Sequence, residues 1–154
     1  MPMKFYNYDI VFQEIPDEVT LAINITHCPN NCEGCHSPHL REDIGEVLDY
    51  DALDRLLARY ADSITCVCFM GGDRDVTEVE NLAKHVRETT GLLTGWYSGR
   101  NEMPPHPALF DFVKLGPYIP EKGSLKQRTT NQRLYRRHGE EWEDITGRFW
   151  RETN

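Results

Sequence analysis

Three of the chain's five cysteines fall within eight residues: Cys28, Cys32 and Cys35, spaced C-x3-C-x2-C inside the stretch THCPNNCEGCHSPH. Three thiolates on a loop that also bears Pro29, Gly34 and Pro38 can wrap one face of a metal centre, and two readings compete. A structural zinc site needs four tetrahedral ligands, with His36 or His39 as the fourth. A [4Fe–4S] cluster takes one cysteine per iron, so three cysteines leave one iron open to bind something other than protein. The remaining pair, Cys66 and Cys68, alternates along an apolar run and reads as small core thiols rather than ligands. The open coordination site is therefore the better reading.

The bulk properties agree with an intracellular metal or cluster protein. With 154 residues, 39% of them hydrophobic, the chain suffices for one domain, residues 1–154, with a core that needs no disulfide staples. A formal net charge of −8 and a sequence pI near 5.2 argue against a nucleic-acid ligand. No apolar run is long enough to span a membrane, and the first residues lack the pattern of a secretory signal, so a cytoplasmic location is expected. Disulfides are uncommon there, which again favours a metal site for the clustered cysteines.

The elements that must position this loop are legible from periodicity. Residues 9–25 read as two extended runs separated by Pro16-Asp17-Glu18, the second, Val19 to Ile25, leading straight into the cysteine loop. Leu53, Leu56, Leu57 and Tyr60 mark one apolar face of a helix that begins near Asp49 or Asp51. Ile64 to Met70 reads as a buried parallel strand closed by Gly71-Gly72. Thr77 and Glu80 form a T-x-x-E capping box ahead of a helix that Gly91 stops. Leu92 to Gly99 and Asp111 to Gly116 are a third and fourth core strand, with one helical turn at Ala108 to Phe110 between them. A strand at Arg133 to Arg137, a turn at His138-Gly139 and an extended run to Trp150 complete the chain as a terminal hairpin.

This order of strands and helices is that of βα units, in which functional loops sit at the C-terminal strand ends. The chain is too short for eight units, so an incomplete (β/α) barrel or an open, curved α/β sheet is expected, with a C-terminal β-hairpin extension. The cysteine loop, Gly71-Gly72-Asp73, Ser98-Gly99 and the segment after Lys114 should then converge on one rim. At that rim a solvent-facing Lys114 is expected. Trp142, Phe149 and Trp150 are expected to pack the hairpin onto the core.

C-x3-C-x2-C directly after the first barrel-type strand resembles the signature of radical S-adenosylmethionine enzymes. Gly71-Gly72-Asp73, one βα unit later, resembles that family's Gly-Gly-Glu motif, with Asp73 in place of the usual Glu. Cys32-Glu33-Gly34-Cys35, VKLGPYIPEKGSL (Val113 to Leu125) and TTNQRLY (Thr129 to Tyr135) narrow the likeness to activating proteins of the anaerobic ribonucleoside-triphosphate reductase. The resemblance runs from about Ile10 to Trp150. It implies a radical SAM barrel with one [4Fe–4S] cluster held by Cys28, Cys32 and Cys35, and S-adenosyl-L-methionine as co-substrate. It also implies a low-potential electron donor and, as partner, the large reductase subunit with its glycine-bearing loop.

In such an enzyme reductive cleavage of S-adenosylmethionine gives a 5′-deoxyadenosyl radical that abstracts hydrogen from the partner's glycine, the protein supplying position and exclusion. Gly71, Gly72 and Asp73 would line the methionine amino group, Ser98 a ribose hydroxyl, His36 the adenine, and Asn131, Gln132 and Arg133 the cofactor or the partner. Activation of a different glycyl-radical enzyme, radical chemistry on a small molecule, and a zinc-binding interaction module are the alternatives.

Overall fold

The computed structural model describes residues 3–25 and 46–150. The cysteine loop, with Cys28, Cys32, Cys35, His36 and His39, lies outside the described residues, as do residues 1–2 and 151–154.

Eight strands form one mixed sheet: β1 (Lys4–Val11), β2 (Thr20–Ile25), β3 (Glu46–Val47), β4 (Cys66–Met70), β5 (Leu93–Tyr97), β6 (Phe112–Leu115), β7 (Arg133–His138) and β8 (Glu141–Asp144). Their spatial order is β3-β1-β2-β4-β5-β6-β7-β8. The central four, β2, β4, β5 and β6, are parallel neighbours, while β1 runs antiparallel on one flank and the β7–β8 hairpin antiparallel on the other. Two helices, α1 (Tyr50–Tyr60) and α2 (Val76–Thr90), lie in the β2-to-β4 and β4-to-β5 connections. The β5-to-β6 connection has only a 3-10 turn at Pro107–Leu109, close to the turn expected there.

The helix ends follow side-chain chemistry. Asp49 caps α1 by accepting from the Ala52 N–H at 2.8 Å. Asp75 caps α2 by accepting from the Glu78 N–H at 3.2 Å. The expected capping box at Thr77 and Glu80 is not formed: Thr77 lies inside the helix, one residue past its start. The Asp at 75 supplies the N-cap acceptor before Thr77 is reached, which leaves Glu80 to turn elsewhere. Gly91 ends α2 in the left-handed conformation, φ +71°, as the sequence suggests.

Strand alternation sorts the core into two layers. Leu21, Ile23 and Ile25 of β2, Val67 and Phe69 of β4, Trp96 of β5 and Val113 of β6 pack with Leu53, Leu57, Val79, Leu82 and Val86 of the helices. On the opposite face lie Cys66, Cys68, Phe112 and Leu134, covered by Ile15, Leu125 and Ile145. Ile15, in the β1–β2 connection, is fully buried and packs over Gly95, where a Cβ would stand 3.5 Å from Ile15 Cδ1 and, more tightly, 3.3 Å from Cys68 Sγ. The Tyr97 hydroxyl donates to the Glu14 carbonyl and ties the same connection down. No described helix is long and apolar enough to cross a membrane.

Candidate functional site

The parallel strands all point the same way, so their C-terminal ends share one rim. Ile25 ends β2 and the cysteine segment follows it within three residues. Gly71-Gly72-Asp73 follows β4, Ser98-Gly99 follows β5, and Gly116 follows β6. The register places Asn24, Met70, Tyr97 and Lys114 in one row across these ends, on the face away from the helices.

Hydrogen bonds join the loops of the rim one to the next. The Gly71 N–H donates to the Tyr97 carbonyl at 2.9 Å, and the Trp96 indole N–H donates to the Gly71 carbonyl at 2.7 Å. Asp73 reaches across to the β5 exit: one carboxylate oxygen accepts from the Ser98 hydroxyl at 2.5 Å and the other from the Gly99 N–H at 2.9 Å. The Ser98 hydroxyl in turn accepts from the Arg100 N–H at 3.0 Å. Ser98 is fully buried. Its hydroxyl therefore fixes Asp73 and the backbone after it.

Lys114 departs from expectation. It is 8% exposed, and its ammonium donates to the carbonyls of Ser98 at 3.0 Å and Gly116 at 2.9 Å while lying 5.8 Å from the centre of the Tyr97 ring. A strand whose four residues are all buried carries Phe112 and Lys114 to the same face, so the lysine has no route to solvent. The i, i+2 spacing from Phe112 was the available signal. The result is a buried cation joined to the Asp73 carboxylate through Ser98, the carbonyl holding one and the hydroxyl the other.

Gly116, at φ +104°, lets the next segment come close: a Cβ there would stand 3.2 Å from Gln132 Cα. Gln132 is buried and its amide donates to the Gly116 carbonyl at 3.5 Å; the Asn131 amide donates to the Pro117 carbonyl at 3.0 Å. Asn131 Oδ1 is buried with no donor among the described residues. Arg133 is separate from this group. Its guanidinium lies 3.6 Å from Asp144 and 5.8 Å from the Trp150 ring, on the hairpin side. The rim thus brings together Gly71, Gly72, Asp73, Ser98, Asn131 and Gln132 of the residues singled out in the sequence, adds Lys114, and leaves Arg133 outside.

The two glycines after β4 have different reasons. A Cβ on Gly72 would collide with Val79 Cγ2 at 2.6 Å, so its bare backbone serves the packing of α2. Gly71, φ +101°, would meet the Ile25 carbonyl at 3.3 Å, at the point where the chain leaves β2 for the cysteine segment.

Below the rim, Cys66 and Cys68 are free, buried thiols. Burial pushes the pKa of both upward, reinforced at Cys66 by the neighbouring Cys68 and at Cys68 by the Glu14 carboxylate. Tyr97 is raised for the same first reason, burial, and then by Cys68. These groups stay neutral and pack; they are not nucleophiles.

At the rim the Lys114 ammonium and the Asp73 carboxylate are already engaged by Ser98, Gly99 and Gly116, and Asn131 Oδ1 is a buried acceptor with no donor among the described residues. Cys28, Cys32 and Cys35, which follow β2 in the sequence outside the described residues, are soft donors of the kind that iron–sulfur clusters and zinc both take. No protein family, curated protein or solved structure matches the chain.

Proposed function

We propose that the chain is a radical S-adenosylmethionine enzyme that activates a glycyl-radical protein, the anaerobic ribonucleoside-triphosphate reductase, in the cytoplasm. The observation that carries the reading is the Gly71-Gly72-Asp73 loop clamped onto Ser98-Gly99 beside the strand that leads into Cys28, Cys32 and Cys35. An incomplete barrel is the architecture proposed with it, the four parallel strands forming its wall.

Cys28, Cys32 and Cys35 would hold the [4Fe–4S] cluster, which with S-adenosylmethionine supplies a carbon radical able to take a hydrogen atom from a peptide glycine. The chain's own residues do the rest. Lys114 and Asp73, joined through Ser98, hold the loops after β4, β5 and β6 in fixed positions at the rim. Gly71 lets the loop after β4 pass close to the Ile25 carbonyl, and Asn131 Oδ1 would accept from a ligand hydroxyl or amine. The Ile15 plug and the Tyr97–Glu14 bond close the far end of the same face, which keeps water from reaching it from below.

Anaerobic reconstitution with iron and sulfide tests the proposal. The expected product is a brown, oxygen-sensitive protein with about four irons per chain, lost on Cys28→Ala, Cys32→Ala or Cys35→Ala and kept on Cys68→Ser. With a reductant and the reductase present, an electron-spin-resonance doublet should appear on the reductase, and deuterium from its glycine Cα should be found in 5′-deoxyadenosine. A colourless protein that binds one zinc ion would sink the proposal in favour of an interaction module. Cofactor cleavage without glycyl signal or label transfer would point to a small-molecule substrate.

A further inference from the structure

Charge is distributed unevenly along the chain. Residues 112–150 carry eight basic side chains against five acidic ones, in a chain whose net formal charge is −8. The fold gathers much of this local surplus onto one surface, made by residues 122–133 and the terminal 3-10 turn, Thr146–Trp150. The Trp150 indole N–H donates to the Leu125 carbonyl at 2.9 Å, and the guanidinium carbons of Arg128 and Arg133 each stand 5.8 Å from its ring. Arg133 and Arg148 have acidic neighbours, Asp144 and Asp17. Lys122, Lys126 and Arg128 are exposed and engage in no ion pair among the described residues; Lys126 donates only to the Gln13 side chain, at 3.1 Å.

The loop is not slack. Thr129 and Thr130 hydroxyls donate back to the Lys122 and Gly123 carbonyls at 2.6 and 3.1 Å, closing it on itself, so the backbone that carries its cations is set before anything binds. It also ends in the rim, since Thr130 is followed by Asn131 and Gln132, which bond to Pro117 and Gly116. A cationic, aromatic-bearing surface thus adjoins the candidate site.

We infer that this surface docks an acidic, extended segment of a protein partner. Charge complementarity selects the occupant: like charge disfavours basic partners, and the unpaired Lys122, Lys126 and Arg128, the last beside the Trp150 ring, reward carboxylates. A short acidic segment sees only this patch. A nucleic-acid duplex would run past it over the strongly acidic remainder of the molecule, where repulsion opposes binding. That the segment belongs to the glycine-bearing partner rests on the function proposed above; the existence of the docking surface does not.

The test uses the full chain, as isolated with whatever metal it carries, and a fluorescein-labelled peptide of alternating Glu and Gly read by anisotropy. Binding should strengthen as salt is lowered, weaken by about tenfold or more in the double variant Lys126→Glu/Arg128→Glu, and stay within about twofold of the parent in Lys84→Glu, a control charge reversal on exposed α2 surface. Absence of binding, or equal binding to the double variant, overturns the inference. So does a short DNA duplex that binds more tightly than the peptide at the same salt. A colourless protein that still binds the peptide through Lys126 and Arg128 would remove the proposed enzyme and keep the docking surface. A brown, active one whose double variant binds unchanged would do the reverse.

Discussion

Gly72 shows how a motif residue can have two masters. The family resemblance would set it beside a cofactor's amine, whereas its left-handed backbone, φ +87°, and the 2.6 Å approach of Val79 Cγ2 to any Cβ there tie it to the packing of α2. Gly72→Ala is therefore expected to lower stability by about 1–3 kcal/mol, seen as a drop in the urea midpoint of the metal-free protein. A stability unchanged within error would mean that the loop adapts. The thiols make a second prediction. Cys66, Cys68 and Tyr97 are all raised by burial, so their share of stability is whole below their unfolded pKa values, about 8.5 for thiols and about 10 for tyrosine. It is lost as the pH climbs from there toward the raised folded values. The urea midpoint should fall between about pH 9 and 11, and fall less steeply in Cys68→Ala. At pH 8, iodoacetamide should leave Cys66 and Cys68 unmodified until the protein is unfolded, as read by mass spectrometry.

At the scale of elements, the two α2 caps proposed by sequence and structure can be told apart directly. Asp75→Ala should destabilise by about 1 kcal/mol, whereas Thr77→Ala should change the urea midpoint little. The four parallel strands, the terminal hairpin and both described helices were legible because alternation and helical spacing act locally; the two-residue β3 carries too little pattern to read, and β1 begins at Lys4, ahead of the extended run expected from Asp9. What was not legible depended on distant partners. Glu80 looks like a capping residue until His106 is brought beside it: the buried carboxylate accepts from the His106 N–H at 2.6 Å and lies 3.1 Å from its ring Nδ1. Lys114 reads as a surface residue until the carbonyls of Ser98 and Gly116 arrive to satisfy it. The Asp73–Ser98 clamp joins residues 25 apart in sequence and has no periodic signature at all. Trp150 lies beside Arg133 of the hairpin and also anchors the 122–130 loop through Leu125, a tie that no periodicity announces.

For the whole molecule, the Ile15 plug sets the sequence of events at the candidate site. The face of the sheet that bears Cys68, Tyr97 and Lys114 is filled at its lower end by Ile15, which is fully buried against Gly95, and the Glu14 carbonyl is held there by Tyr97. On the proposed function the rim is the doorway that two molecules of very different size must use. The small one has to come first, because the large one stands in the door. Departure then runs in reverse, so a bound partner protein should trap the cofactor behind it. Excess partner added before S-adenosylmethionine should slow the cofactor's association without weakening its eventual affinity, and partner added afterwards should slow the release of labelled cofactor in a chase. Ile15→Ala, which opens the lower end, should relax both delays if the plug is what enforces the queue; identical rates with and without partner would show that the doorway is wide enough for both.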